Sequence, residues 1–188
     1  MIDNKKIDKK EAILDAALTL ITKFGLHAVS MKMIATEAKV AAGTIYVHFK
    51  NKEEMLASLN NILTQKINDI VENNFNEALS FKENFKTLWS IILDAYITDQ
   101  RIPDFVTQYS FSANNAESDT IQLLAPIYKL LERAQNEGVV KEIPIPALLA
   151  LAHGPITSLI RMVRRTNLKI KDIDIETYAE ACWDGIKK

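Results

Sequence analysis

The chain predicts an all-α fold in two parts: a three-helix head containing a helix-turn-helix over residues 1–52, and a larger helical body over 53–188, with about nine helices in all. Three observations predict it. Apolar residues recur at three- and four-residue spacing in nearly every long segment, and no segment alternates as a strand does. Five Gly and five Pro in 188 residues leave few breaks, so helices are long and loops short. Residues 29–52 read as two short helices separated by a tight break, the layout that places one helix in a DNA major groove.

Composition narrows the class further. The chain is 48% hydrophobic and 25% charged, as in a globular protein with a good core. One cysteine, Cys182, excludes an internal disulfide and suits a reducing cytosol. The first residues, MIDNKKIDKKEAI, show no apolar run after their charges, so no signal peptide is expected. No run of 18 or more apolar residues is found, so no membrane span is expected. The net charge of −1 hides an asymmetry. Residues 1–52 hold nine lysines against five acids, a balance of +4, which leaves 14 basic and 19 acidic residues, or −5, in the rest. A basic head on an acidic body suits a head that meets a polyanion.

Each element can be justified in order. Residues 1–7 read as a tail. Asp8 and Glu11 have capping-box spacing and open a helix over 8–24, with Ile13, Leu14, Ala17, Leu20, Ile21 and Phe24 on one face and Gly25 as its C-terminal cap. Ser30 caps a second helix over 31–38, with Ile34, Ala35 and Ala38 inward. A third runs over 41–48 and turns Ile45 and Phe49 inward. Longer helices follow. One spans 52–79 with Met55, Leu59, Ile62, Leu63, Ile67 and Ile70; another spans 82–99 with Phe85, Leu88, Trp89, Ile92 and Tyr96. Pro103 opens a shorter helix to Ala113, a polar loop covers 114–119, and a further helix over 120–136 stops at Gly138. Pro144 and Pro146 start a helix over 146–166, and Asp172 opens the last, which ends near Gly185.

The third helix carries the chemistry. A helix entering the major groove needs small residues where it nears the backbone and polar or aromatic tips toward base edges. Ala41, Ala42 and Gly43 are small; Thr44 and Tyr46 offer hydroxyls; Val47 and the Thr44 methyl can meet a thymine methyl; His48 can donate to a phosphate. Lys52 opens the next helix and Lys32 the second, each able to offer a charge to phosphate. The first 100 residues contain no arginine, the commonest reader of guanine, so readout leaning to A·T pairs through methyl contacts and shape is expected.

The string VSMKMIATEAKVAAGTIYVHFKNKEEML resembles the N-terminal signature of the TetR family of bacterial transcriptional regulators. The likeness rests on the serine-capped second helix, the GTIYVHF run from Gly43 to Phe49 and the KNKEE turn from Lys50, and covers about residues 9–56. It implies DNA contacts by Ser30, Lys32, Ala42, Gly43, Thr44, Tyr46, Val47, His48 and Lys52. Departures are Ala41 where serine is common, Ala42 where a longer polar residue is common, and Lys39 where the turn between the second and third helices usually has glycine. A lysine in left-handed geometry costs about 1 kcal/mol, so a differently shaped turn is expected.

For the body, the resemblance implies a small-molecule inducer pocket and a homodimer through the last two helices. Candidate pocket residues are Trp89, Tyr96, Phe105, Tyr109, Phe111 and Tyr128, with His153 and Arg161 as polar anchors. Candidate interface stripes are Ile156, Leu159, Ile160 and Val163, and Tyr178, Cys182 and Trp183. The expected partners are a double-stranded DNA operator, an inducer and a second copy of the chain, in the cytoplasm, with no cofactor and no membrane. The chain shows no phosphate-cradling glycine loop, metal-ligand cluster or nucleophile elbow, so catalysis is not expected. Alternatives to a repressor are an activator and a helical binding module without DNA recognition.

Overall fold

The computed structural model describes residues 8–110, 112 and 125–188. Among them are nine α-helices and no strands: α1 (Lys9–Phe24), α2 (Met31–Glu37), α3 (Ala42–His48), α4 (Lys52–Asn74), α5 (Phe81–Thr98), α6 (Arg101–Ser110), α7 (Ala125–Asn136), α8 (Ile145–Arg165) and α9 (Ile175–Ile186), with a 3₁₀ turn at Ile170–Asp172. Phe111, the polar loop at 114–119 and the expected start of a helix at 120 lie outside the described residues. The all-α expectation holds, and the chain divides into two compact units whose boundary along the chain falls within α4, after Leu63.

The first unit holds the described residues up to Leu63 together with α6. Asp8 caps α1 by accepting from the Lys10 N–H (2.9 Å), one residue short of the expected pairing with Glu11. The inner face of α1 is as expected for Ile13, Leu14, Ala17, Leu20 and Ile21, but Phe24 is half exposed. Ser30 caps α2 through the Met33 N–H, and Ile34, Ile45 and Phe49 close the small core of α1, α2 and α3. The head extends beyond the expected boundary at residue 52, because α6 packs on α1. Phe105 is fully buried there. The Arg101 guanidinium donates to Asp15 Oδ1 (2.9 Å) and Thr19 Oγ1 (2.8 Å), and Gln108 Oε1 accepts the Leu26 N–H (3.1 Å).

Lys39 sits at φ +55°, inside the left-handed region. The Val40 N–H reaches Ala35 O (3.0 Å) and the Lys39 N–H reaches Thr36 O (3.1 Å). Those two bonds form a Schellman closure of α2, the arrangement that a glycine would make here. The turn therefore keeps its usual shape, contrary to the sequence expectation, because two orphan carbonyls are satisfied in exchange for the strain of one side chain.

The second unit contains the rest of α4, α5, and the described residues from Ala125 onward. Ser80 and Glu83 form a reciprocal capping box, which starts α5 at Phe81. Leu131, Ala134, Val140, Leu148, Trp183 and Ile186 make its core. Asp174 rather than Asp172 caps α9, through the Thr177 N–H (3.2 Å). By length and composition α8 is apolar enough to cross a membrane, with a mean hydropathy of 1.3 over an 18-residue window, which the run-length reading of the sequence missed. Here α8 packs against α5, α7 and α9.

Candidate functional site

The α3 helix has only two turns, and its two faces differ sharply. Ile45 and Phe49 are buried, which turns Ala42, Gly43, Tyr46 and Val47 outward, with Thr44 and His48 half-buried at the edges. Val47 is 81% exposed and Tyr46 59%, and nothing within the fold explains two large exposed side chains on so short a helix. Gly43 adds to this. A Cβ placed on it would meet no atom within 4 Å, so no packing inside the chain requires glycine. Gly43 is the second residue of α3, and glycine within a helix costs up to about 1 kcal/mol relative to alanine. Its absence of bulk is useful only to something outside the chain that approaches the backbone.

The side chains around α3 divide into available and occupied groups. Lys32 is exposed near the start of α2. Ser30 Oγ accepts the Met33 N–H (3.3 Å) and keeps its own hydroxyl proton to donate elsewhere. His48 packs its ring against Phe49 (6.4 Å between centroids). Lys52 departs from the expectation of a phosphate contact. Its ammonium is half-buried and donates to Leu26 O and Val29 O, tying down the loop between α1 and α2. Burial holds its pKa below the ordinary lysine value, which fits an ammonium drawn off the surface. The first-turn amides of α4 remain at that end. Asn51 caps them by accepting the Glu54 N–H (2.8 Å), and Glu54 accepts the Lys50 N–H (2.9 Å). Lys39 is exposed at the turn into α3 and brings a positive charge there.

The second unit contains a partly open cavity of about 90 Å³. Its wall comes from α4, α5, α7, α8 and α9 and includes Phe85, Trp89, Leu130, His153, Ile156 and Trp183. Of the expected pocket residues, Trp89 and His153 line it. Tyr96 lies behind the wall, buried, with its hydroxyl 2.9 Å from His153 Nε2. Phe105 and Tyr109 belong to the first unit, where their rings stack 5.7 Å apart. Tyr128 is half-buried on α7 and does not line the cavity, and Arg161 is exposed on α8. The sequence reading favoured aromatics with polar tips, whereas the wall is mostly aliphatic residues on five helices.

Most residues of the expected interface stripes are buried within the chain. Ile156, Leu159 and Ile160 are 1–4% exposed, and Cys182 and Trp183 are buried, so these residues are already packed within their own chain. Val163 and Tyr178 are half-buried. The outward face of α8 is a different one, with Leu151 (45% exposed), Ser158 and Met162 (52%) beside half-buried Gly154 and Pro155. On α9, Thr177, Ala181 and Gly185 face out. The strongest apolar stripe on each of these helices is the one its own core claims.

Comparison with known proteins agrees with this layout. Residues 13–59 match the sequence profile described as "Bacterial regulatory proteins, tetR family", and residues 80–187 match "Tetracyclin repressor-like, C-terminal domain". An HTH-type transcriptional regulator of Haemophilus influenzae is 28% identical over 97% of this chain and 98% of its own length. The fatty acid metabolism regulator protein of Bacillus subtilis is 30% identical over 72% of this chain and 70% of its own. A crystal structure of a TetR-family transcriptional regulator from Haemophilus influenzae superimposes with a TM-score of 0.82 at 28% identity, covering 98% of this chain and all of that one (100%).

Proposed function

The chain belongs to the TetR family of bacterial regulatory proteins and is a DNA-binding transcriptional regulator, not an enzyme; from that premise we propose that it is a cytoplasmic repressor, released from a palindromic operator when a small, mostly apolar inducer enters the cavity beside Trp89 and His153. The outer face of α3 carries the reading: Tyr46 and Val47 project, and Gly43 leaves the backbone approachable, with no internal reason for any of the three. Thr44, Tyr46, Val47 and His48 read the groove. Ser30 and Lys32 contact its edge from α2, and the amides at the start of α4 meet a phosphate where Lys52 does not.

Two copies of α3 must reach successive major grooves, about 34–36 Å apart. The dimer that sets this spacing forms through the outward face of α8, with Leu151, Ser158 and Met162, and the small residues on α9. Induction works through size. A cavity of about 90 Å³ is smaller than the ~150 Å³ that holds a benzene ring, so a larger ligand must displace its walls. The α4 helix contributes Val71 to that wall and runs unbroken back to Lys52. Tilting it alters the separation of the two recognition helices.

The test is selection of bound fragments from genomic DNA, followed by titration of the recovered site at several salt concentrations. The expected result is a two-fold symmetric site with A·T-leaning half-sites and an affinity that falls steeply with salt. A protein that recovers no site, or half-sites rich in G·C, refutes the reading of α3 or of its base preference respectively.

A further inference from the structure

We infer that Gln108 of α6 and Lys52 of α4 are positioning residues for operator recognition: together they grip both backbone polar groups of Leu26, and so set how α2 and α3 meet DNA without reading it themselves. The inference rests on α2 and α3 as the DNA face. The loop they hold is short. Residues 25–29 join the end of α1 at Phe24 to Ser30, the cap of α2. Leu26 and Val29 are buried. The Leu26 N–H donates to Gln108 Oε1 (3.1 Å), and the Leu26 carbonyl accepts from the Lys52 ammonium. The same ammonium donates to Val29 O, one residue before the α2 cap. One residue is therefore fixed at its donor by α6 and at its acceptor by α4.

Both grips bear on the DNA face. Lys52 is the first residue of α4, and Val29 O stands directly before Ser30, so one ammonium joins the start of α4 to the start of α2. Those are the two helix starts whose groups are read above as meeting phosphate. A shift of the loop moves Ser30 and with it α2, which packs on α3. Gln108 reaches the loop from a seated helix, since Phe105 is fully buried and Arg101 donates to Asp15 and Thr19. Two of the three ammonium protons of Lys52 are committed to carbonyls; the third is what a phosphate contact would use. Without Gln108, the part-buried Leu26 N–H loses its acceptor, and the loop gains by turning that donor toward water. Operator binding must then draw the loop back, so the loss appears in affinity for a specific site. Non-specific binding depends on phosphate charge rather than on register, and is spared.

The full chain and its variants are titrated with the operator recovered by fragment selection and with a random-sequence duplex of equal length, between about 50 and 200 mM salt. Urea unfolding fixes a temperature at which each variant is folded. Gln108→Asn, one methylene too short for the bond, stands in for Gln108→Leu if the latter is unfolded there. Gln108→Leu is expected to weaken operator binding about fivefold and Lys52→Met about tenfold, each with an unchanged salt slope and with random-duplex binding within about threefold of the parent. Gln108→Glu keeps an oxygen for the Leu26 N–H and should bind operator within about twofold of the parent. The Gln108→Leu/Lys52→Met variant should lose less than the product of the two single losses, because both act through Leu26. A slope lowered by about one in Lys52→Met, with the random duplex weakened in step, makes Lys52 a phosphate contact and overturns its positioning role. Parent-like operator binding by Gln108→Leu, or losses that multiply in the double variant, overturn the shared hold on Leu26. A parent chain that binds operator and random duplex alike overturns instead the reading of α2 and α3 on which the inference rests.

Discussion

Replacing Lys39 by glycine tests how the turn into the recognition helix is held. Lys39 is exposed at φ +55°, so its removal costs no packing and leaves both Schellman bonds, from Lys39 N–H to Thr36 O and from Val40 N–H to Ala35 O, in place. The gain is relief of left-handed strain, about 1 kcal/mol. The offset is the greater freedom of glycine in the unfolded chain, about 0.5 kcal/mol. The net expectation is roughly 0.5 kcal/mol of added stability, or a Tm rise of about 1–2 °C for a chain of this size. Lys39→Ala separates strain from charge. It also removes the ammonium but keeps a Cβ at φ +55°, so it should be less stable than Lys39→Gly by about 0.5 kcal/mol. Lys39→Asn should fall between them, because asparagine tolerates this region. The assay is urea unfolding followed by circular dichroism, at one protein concentration because any self-association couples to stability. Equal midpoints for the glycine and alanine variants, with equal slopes, refute the claim that backbone strain is stored at this turn.

Three further outcomes follow from other parts of the structure. Phe105→Ala should cost about 3–5 kcal/mol, whereas Arg101→Ala should cost under about 1 kcal/mol, because a fully buried ring and not a half-exposed ion pair holds α6 to α1; comparable losses in urea unfolding contradict this. His153 has a lowered pKa in the folded state against an ordinary 6.5, so the unfolded chain binds the extra proton first as pH falls. Stability should be full above about pH 6.5 and decline below it by up to about 1.4 kcal/mol per pH unit until the folded pKa is reached, and the Tyr96→Phe/His153→Leu variant should lack this part of the slope. Met162→Arg or Leu151→Glu should give folded monomers by sedimentation, whereas Ile160→Glu should unfold the chain; a dimer that persists in both exposed variants removes the proposed interface.

The sequence made most of the head legible because its determinants are local. Ser30 caps the helix that begins one residue later, and Ile45 and Phe49 share a face by spacing alone. What it missed depends on contacts distant along the chain. The carbonyls that hold the Lys52 ammonium lie 26 and 23 residues upstream, and no local pattern announces them. The attachment of α6 to the head joins residues as far apart in sequence as Arg101 and Asp15, 86 residues away. On α8 the difference is one of rank. Two apolar stripes exist, and hydrophobicity picks out Ile156, Leu159 and Ile160, the stripe its own core buries. The cavity was misread for a related reason, since a wall drawn from five helices has no signature in any one of them.

Glycine placement in the head runs against what folding alone would choose, twice within five residues. The turn at 39 has φ +55° and would be best served by glycine, yet it carries lysine. The helix at 43 has ordinary helical geometry and open space for a Cβ, and would be best served by alanine, yet it carries glycine. Each choice costs up to about 1 kcal/mol, and both positions are exposed on the same helix-turn-helix. Conflicts of this kind between local preference and structure collect at functional sites. A charge at the turn and a bare backbone on α3 both favour a close polyanionic partner. Exchanging them, as Lys39→Gly/Gly43→Ala, should therefore raise stability by about 1–1.5 kcal/mol while weakening DNA binding and lowering its salt slope by about one phosphate contact. A double variant that is more stable and binds DNA as tightly as the parent removes the functional explanation for both residues.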